Sequence, residues 1–468
     1  MRRFSVILVL ALLSLALSCD RKELFPDAIR KYNGEENRTP EDDPDDVNWA
    51  RTVSYVFDSS VIPDIHISVS SEEWDRLLAF YDRDPNTQEY VKCDVRFVKD
   101  REEQLITGAA VRLKGNTSRR RPYSDGKYHH VHFGLDLHKY TFDKEHTIKG
   151  LRKMDLKWFK DDPAYVRELY CYDLFRRFGV WTAINDVYAK LWLKVGDADE
   201  IYYGVYNMME HLDRNYLRIR KEQFGTKDGY LWKCGFGAGL SSENANIGLD
   251  DDASTFQYEL KTGTEETFQD AKDLLVDFIH NLRTLKGDEF NVWIEKHMDI
   301  PLFLRTYAVN VAVGMWDDYW NNSNNYYLYF TTGPNYKVWF IPYDYDNTLG
   351  TSANCGIQSD SGRQDPYNWG VSSRPLVTKI LKNNVWKIMY KQYLQELCEE
   401  GGLFNYTSSA ARIRTWQESI KYYVSNDTKE DNKMADRPAT WSNHTEYRLL
   451  DPGDNNFFKV KASVVAGM

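Results

Sequence analysis

The chain has 468 residues, 42% hydrophobic and 15% aromatic, which excludes wholesale disorder and leaves room for about three domains of ordinary size. Lys and Arg number 60 against 70 Asp and Glu, a formal net charge of −10. No global positive field therefore draws the chain onto phosphate backbones, and generic nucleic-acid binding is excluded.

Met1-Arg2-Arg3 and the apolar run from Phe4 to Leu17 have the pattern of a secretory signal peptide, too short for a comfortable membrane span. Ala16-Leu17-Ser18-Cys19 resembles a bacterial lipobox. Residues 1–18 are thus expected to be removed and Cys19 lipidated. The mature chain would then sit in the exported cell envelope, at the outer membrane or cell surface, touching the membrane only through its lipid. Residues 19–50, with Glu41-Asp42-Asp43-Pro44-Asp45-Asp46, read as an acidic flexible tether. Cys93, Cys171, Cys234, Cys355 and Cys398 form no CxxC pair and read as buried thiols.

Structure is expected from about Tyr55. Ile65 to Val69 alternates as a strand, and Ser70 with Glu73 predicts a capping box for a helix through Leu78. Val91 to Phe97, Ala109 to Leu113 and Val131 to Leu137 alternate as further strands. Asp162-Pro163 starts a helix over Tyr165 to Phe178 that Gly179 ends, and Asp186 to Val195 with Ile201 to Met208 reads as a hairpin. Beyond Leu212 the spacing turns helical over Thr267 to Leu285, Pro301 to Met315 and most of 374–424. His129, His130, His132 and His138 read as polar strand-surface residues rather than a zinc site.

The segment Met315-Trp316-Asp317-Asp318-Tyr319-Trp320-Asn321-Asn322-Ser323-Asn324-Asn325 precedes two aromatic runs flanking Thr332-Gly333-Pro334-Asn335. The second run leads to Tyr343-Asp344-Tyr345-Asp346. A hairpin there returns both polar clusters to one end. Such carboxylates and amides either cap helices and turns or supply the base and metal ligands of phosphoryl transfer.

In this respect the chain resembles the CotH kinase family of atypical protein-kinase-like proteins. The matching residues are Val111-Arg112-Leu113-Lys114-Gly115-Asn116-Thr117-Ser118, the helix after Asp161-Asp162-Pro163, Tyr203-Gly204-Val205-Tyr206-Asn207-Met208-Met209-Glu210, Asn324-Asn325-Tyr326-Tyr327-Leu328-Tyr329 and Phe340-Ile341-Pro342-Tyr343-Asp344-Tyr345-Asp346-Asn347-Thr348-Leu349-Gly350. The resemblance implies an α+β, two-lobed kinase-like fold. Its sheet-rich N-lobe would cover residues 51–210 and its helical C-lobe 211–430, with 431–468 an extension of unassigned role. It implies ATP- and magnesium-dependent phosphate transfer to Ser or Thr hydroxyls of a protein substrate. Asp318 would be the catalytic Asp, with Asp317 the alternative; Asn325 or Asn324, Asp344 and Asp346 would hold the metal. Lys114, Asn116, Ser118 and Arg119 lie on a loop fit to cradle phosphates. Lys127 is the candidate phosphate lysine, Glu168 its helix partner, and Glu210 marks a candidate adenine hinge. The rival reading is a non-catalytic surface binding or adhesion module on the same scaffold.

Overall fold

The computed structural model describes residues 49–141, 146–249, 256–351, 360–437 and 446–468. Cys19, Cys355 and nearly all of the acidic tether lie outside them. The described chain runs through α1 (Trp49–Val56), β1 (Asp64–Val69), α2 (Ser71–Arg83), β2 (Val91–Lys99) and β3 (Glu102–Lys114). A two-residue pair follows, β4 (Tyr123–Ser124) with β5 (Lys127–Tyr128), then β6 (His132–Asp136), β7 (Lys153–Trp158), α3 (Arg167–Arg177), β8 (Asp186–Val195) and β9 (Ile201–Glu210).

Strands β1-β2-β3-β6-β7-β9-β8 close into a barrel, sealed by a parallel β1–β8 pairing. Period-two alternation drives the closure: Ile65, Ile67 and Val69, then Val95 and Phe97, Val111 and Leu113, Phe133 and Leu135, and Met154, Leu156 and Trp158 share one buried core. Lys114, His132, Asp155 and Lys157 occupy the intervening positions, so they lie on the outer face of β3, β6 and β7.

Several local expectations need correction. Ser70 caps α2 through Glu73 N at 3.2 Å, but the Glu73 carboxylate accepts from Lys92 N at 2.8 Å instead of closing a box, and the helix runs on to Arg83. His130, His132 and His138 are buried rather than on the surface; His132 Nδ1 accepts from Trp158 N at 3.0 Å. Among the described residues no group of three or more His, Cys, Asp or Glu is arranged to hold a metal by itself.

The second half holds α4 (Arg214–Ile219), α5 (Lys221–Phe224), β10 (Tyr230–Cys234), β11 (Ile247–Leu249), β12 (Tyr258–Leu260), α6 (Glu265–Thr284), α7 (Gly287–His297), α8 (Ile300–Val313), α9 (Tyr319–Asn322), β13 (Tyr326–Phe330) and β14 (Val338–Pro342). It ends with α10 (Pro375–Ile380), α11 (Asn384–Cys398), α12 (Tyr406–Ile420) and α13 (Phe457–Ala466). Helices predominate, around a five-stranded sheet in the order β11-β12-β10-β13-β14. Helix α8 is apolar on every side and buried throughout most of its length, as a central core helix must be.

The result is a mixed α+β fold with two large hydrophobic cores, one inside the barrel and one in the helical half. Helix α3, threaded between barrel strands, places Tyr170, Tyr172, Leu174 and Phe175 in the second core. Phe457 and Phe458 of α13 lie there too, with Phe458 5.0 Å from Phe404 and 5.4 Å from Tyr170, so the stretch after residue 446 completes this core. No helix among the described residues is long and apolar enough to cross a membrane.

Candidate functional site

Helix α8 stops at Gly314, whose φ of 69° is the left-handed cap that glycine adopts without strain. Three residues later the chain reaches Asp317 and Asp318, and these neighbours face opposite ways. Asp318 is the N-cap of α9: its carboxylate accepts from Asn321 N at 2.7 Å, Asn321 Nδ2 at 3.1 Å, Asn310 Nδ2 at 2.6 Å and Trp369 Nε1 at 3.4 Å. It is 2% exposed, and burial pushes its carboxyl up to about 6. Asp317 instead accepts from Asn322 Nδ2 at 2.5 Å, Asn324 Nδ2 at 3.4 Å and Asn325 Nδ2 at 3.1 Å. Burial raises its carboxyl, and the charge of nearby Asp344 raises it further.

The hairpin β13–β14 pairs Tyr326 with Pro342, which brings Asn325 beside the Tyr343-Asp344 turn. Ser323, Asn325 and Asp344 all hold left-handed backbone, φ 53°, 55° and 61°. Such strain persists only where the surroundings over-determine it. For Asp344 they do: its N–H donates to Tyr172 Oη at 2.9 Å, and the next N–H, of Tyr345, donates to Glu168 Oε1 at 3.2 Å. Both acceptors stand on α3.

Lys157 completes the group. Its Nζ lies 2.9 Å from Glu168 Oε2 and 3.1 Å from Asp346 Oδ2, and it also bonds Asp344 Oδ1. Burial works against its charge, but Asp344, Asp346 and Glu168 outweigh burial and hold the ammonium protonated well above the usual lysine range. Burial also pushes the Asp346 carboxyl up to about 6; Lys157 opposes the rise, while Asp344 and Asp317 add to it. Glu168 is raised by burial and by Asp344 and Asp346, with Lys157 opposing.

One ammonium and four carboxylates thus converge from β7, α3, the α8–α9 turn and the end of β14. Asn325 spends its amide nitrogen on Asp317, leaving Oδ1 without a donor among the described residues, as is Oδ2 of Asp344. Hard, unpartnered oxygens fit a small divalent cation that also takes water or phosphate oxygens.

Other residues expected at this site lie elsewhere. Lys127 sits exposed on the β4–β5 pair, and Lys157 is the lysine that meets Glu168. Sequence reasoning missed Lys157, although Lys153-Met154-Asp155-Leu156-Lys157-Trp158 alternates cleanly. Glu210 is consumed structurally, accepting from Arg220 at 2.7 and 2.8 Å and from Asn185 N at 3.0 Å. Arg119 turns away, donating to Gly115 O at 2.6 Å and to Pro85 O at 3.1 Å. Arg120 and Arg121 pair with Glu430 and Asp82. Asn116 and Ser118 remain on the loop after β3, where Gly115 has φ 100° and a Cβ would strike Ser118 Oγ. That loop leaves the barrel beside Lys157, since Lys114 is in register with His132, and Phe133 with Leu156. Lys114 itself pairs with Asp155.

Residues 111–449 match the family described as CotH kinase protein, and the chain belongs to that family. It is 25% identical to the inner spore coat protein H of Bacillus subtilis (strain 168) over 302 residues, 63% of this chain and 75% of that protein. It is 22% identical to the invasin CotH7 of Rhizopus delemar over 390 residues, 80% of this chain and 59% of the relative. The invasin CotH2 of the same fungus is 23% identical over 318 residues, 64% and 49%.

Proposed function

We propose that this member of the CotH kinase family is a phosphotransferase on a two-lobed kinase-like scaffold, moving phosphate from ATP, with magnesium, to Ser or Thr hydroxyls of a protein. The observation that carries this reading is a strand lysine, Lys157, in contact with both a helix glutamate, Glu168, and a turn aspartate, Asp344. Lys157 would hold the phosphates and Glu168 would hold Lys157. Asp344, Asn325 and Asp346 are the oxygen donors for magnesium, which when bound would neutralise phosphate charge. Asp317, facing this group, would take the hydroxyl proton, while Asp318 would position the turn. The barrel loop carrying Asn116 and Ser118 would lie over the phosphates.

Calorimetric titration tests the reading directly. The parent should bind ATP only with magnesium, and Asp344→Asn should abolish that binding because a neutral amide is a poor ligand for a hard dication. An Asp344→Asn chain binding both like the parent sinks the metal assignment. A second reading, a non-catalytic binding or adhesion module, draws on the invasin names of two relatives and takes over if the parent binds no nucleotide. Either role suits an exported, surface-held chain anchored at Cys19. Mass spectrometry of the native N-terminus should find a lipidated Cys19; any other unmodified end rejects the anchor.

A further inference from the structure

A second ionic group lies on the outer face of the barrel, apart from the Lys157 constellation. Asp155 stands two residues before Lys157 on β7, on the same face and therefore about 6.6 Å back along the strand. Its carboxylate, side chain 9% exposed, holds His211 Nδ1 at 3.1 Å from each oxygen and also pairs with Lys114. Lys114 reaches it from β3 by crossing β6 at Gly134, the register partner of Asp155. A Cβ at Gly134 would lie 3.0 Å from the Lys114 stem, so the glycine opens the crossing. His211 follows β9 directly, where the chain leaves the barrel for the helical half, and its side chain is 20% exposed.

Two arguments say what this group faces. If phosphates sit at Lys157 and Asp344, the terminal phosphate must point at Asp317, the proton acceptor. The rest of the nucleotide would then run along the outer face of β7 toward Asp155, whose charge and that of Asp344 both reach Tyr343. The second argument concerns tautomer. A carboxylate only accepts, so the neutral His211 ring must carry its hydrogen on Nδ1, which leaves Nε2 a fixed acceptor. Burial lowers His211 below its ordinary range despite the pull of Asp155, in keeping with the neutral ring. Tyr343 lies within electrostatic reach of both groups: burial, then Asp155 and Asp344, raise its hydroxyl.

Resting on the nucleotide reading above, we infer that His211, oriented by Asp155, determines base specificity, its Nε2 accepting from the exocyclic amine of a 6-aminopurine. A 6-oxopurine would present an acceptor to an acceptor and be disfavoured. Asp155 and Lys114 are positioning residues: they fix the ring and do not touch the base.

The test measures dissociation constants of magnesium complexes of ATP, GTP and inorganic tripolyphosphate for the parent, His211→Ala and His211→Gln. The parent should prefer ATP over GTP by about fivefold to tenfold, the worth of one hydrogen bond set against an acceptor clash. His211→Ala should bring that ratio close to one while tripolyphosphate binding holds. His211→Gln, whose amide can donate or accept, should also lose the preference, and it serves if the alanine variant folds poorly. A parent that binds tripolyphosphate without preferring ATP, or a preference that survives both substitutions, overturns this inference alone. A parent that binds none of the three probes overturns the nucleotide reading, and the inference falls with it.

Discussion

Lys157 and Glu168 meet at 2.9 Å although their elements belong to different hydrophobic cores, β7 to the barrel and α3 to the helical half. The pair therefore staples one half of the molecule to the other at the spot where Asp344 and Asp346 converge. Glu168 also accepts from Tyr345 N, so α3 fixes the lysine and the Asp344 turn together.

Removing the cation should be costly. In Lys157→Met three carboxylates lose their shared partner, one of them, Glu168, with a side chain only 4% exposed. Leaving such a charge unpaired typically costs about 3–5 kcal/mol. Urea unfolding should show that loss, with part recovered in the Lys157→Met/Glu168→Leu double variant. A drop below about 1 kcal/mol would mean that the pair is effectively solvated.

The adjacent aspartates should separate by experiment. On the phosphotransferase reading, Asp317→Asn should slow phosphate transfer about a hundredfold or more, the usual contribution of a general base, beyond any stability lost with its three amide hydrogen bonds. Asp318→Asn should lower stability by about 1–3 kcal/mol, because an amide cannot accept all four hydrogen bonds that the carboxylate receives. Radiolabelled transfer and denaturant melts on both variants decide, and the reverse pattern would make Asp318 the base.

Asp318 also predicts a pH dependence. Burial raises its carboxyl from 3.8 to about 6 in the folded state, so the folded chain binds the proton more tightly than the unfolded one. Its contribution is then most favourable below about pH 4 and is lost as pH climbs through 6. The parent's advantage over Asp318→Asn should therefore shrink between pH 4 and pH 7. A difference flat over that window refutes the assignment.

Residues after α12 strap the barrel loop to the helical half. Glu430 accepts from His129 Nδ1 at 2.9 Å and His130 N at 3.0 Å and pairs with Arg120, while Asp427 exchanges bonds of 2.7 and 2.9 Å with Tyr202. Glu430→Ala should raise amide hydrogen exchange over residues 115–131 at least severalfold, with little change inside α8. Unchanged exchange in that loop would show that the strap does not hold it.

The hairpin end of the site was legible because aromatic runs flanking Gly333-Pro334 admit one register, which puts Asn325 beside Tyr343. The helix glutamate was legible because a helix was expected just after Asp162-Pro163; α3 opens at Arg167, two residues later than the expected Tyr165, with the Asp162 carboxylate accepting from Val166 N and Arg167 N. The lysine was not: the sequence pointed to Lys127, and only tertiary packing brings β7 against α3 so that Lys157 meets Glu168. The sequence ranks Asp318 ahead of Asp317, and it cannot show that these consecutive side chains point apart once α9 starts at Tyr319 and Asp318 becomes its cap. The roles of Glu210 and Arg119 were hidden for another reason. Arg220 and the carbonyl of Pro85 are partners chosen by tertiary packing, beyond any local pattern. The sheet in the second half was obscured because β11 and β12 are three residues each and carry little alternation.

Helix α3 leaves the barrel after β7, buries itself in the other core, and the chain then returns to lay down β8 and β9. Neither half is therefore a contiguous fragment. A piece ending at residue 210 would hold every barrel strand yet expose Tyr170, Tyr172, Leu174 and Phe175 to water. A piece beginning at 211 would lack the helix that fills its core. The two halves should melt in one transition, and expression trimmed to either should yield aggregate unless the complementary fragment is supplied in the same cell.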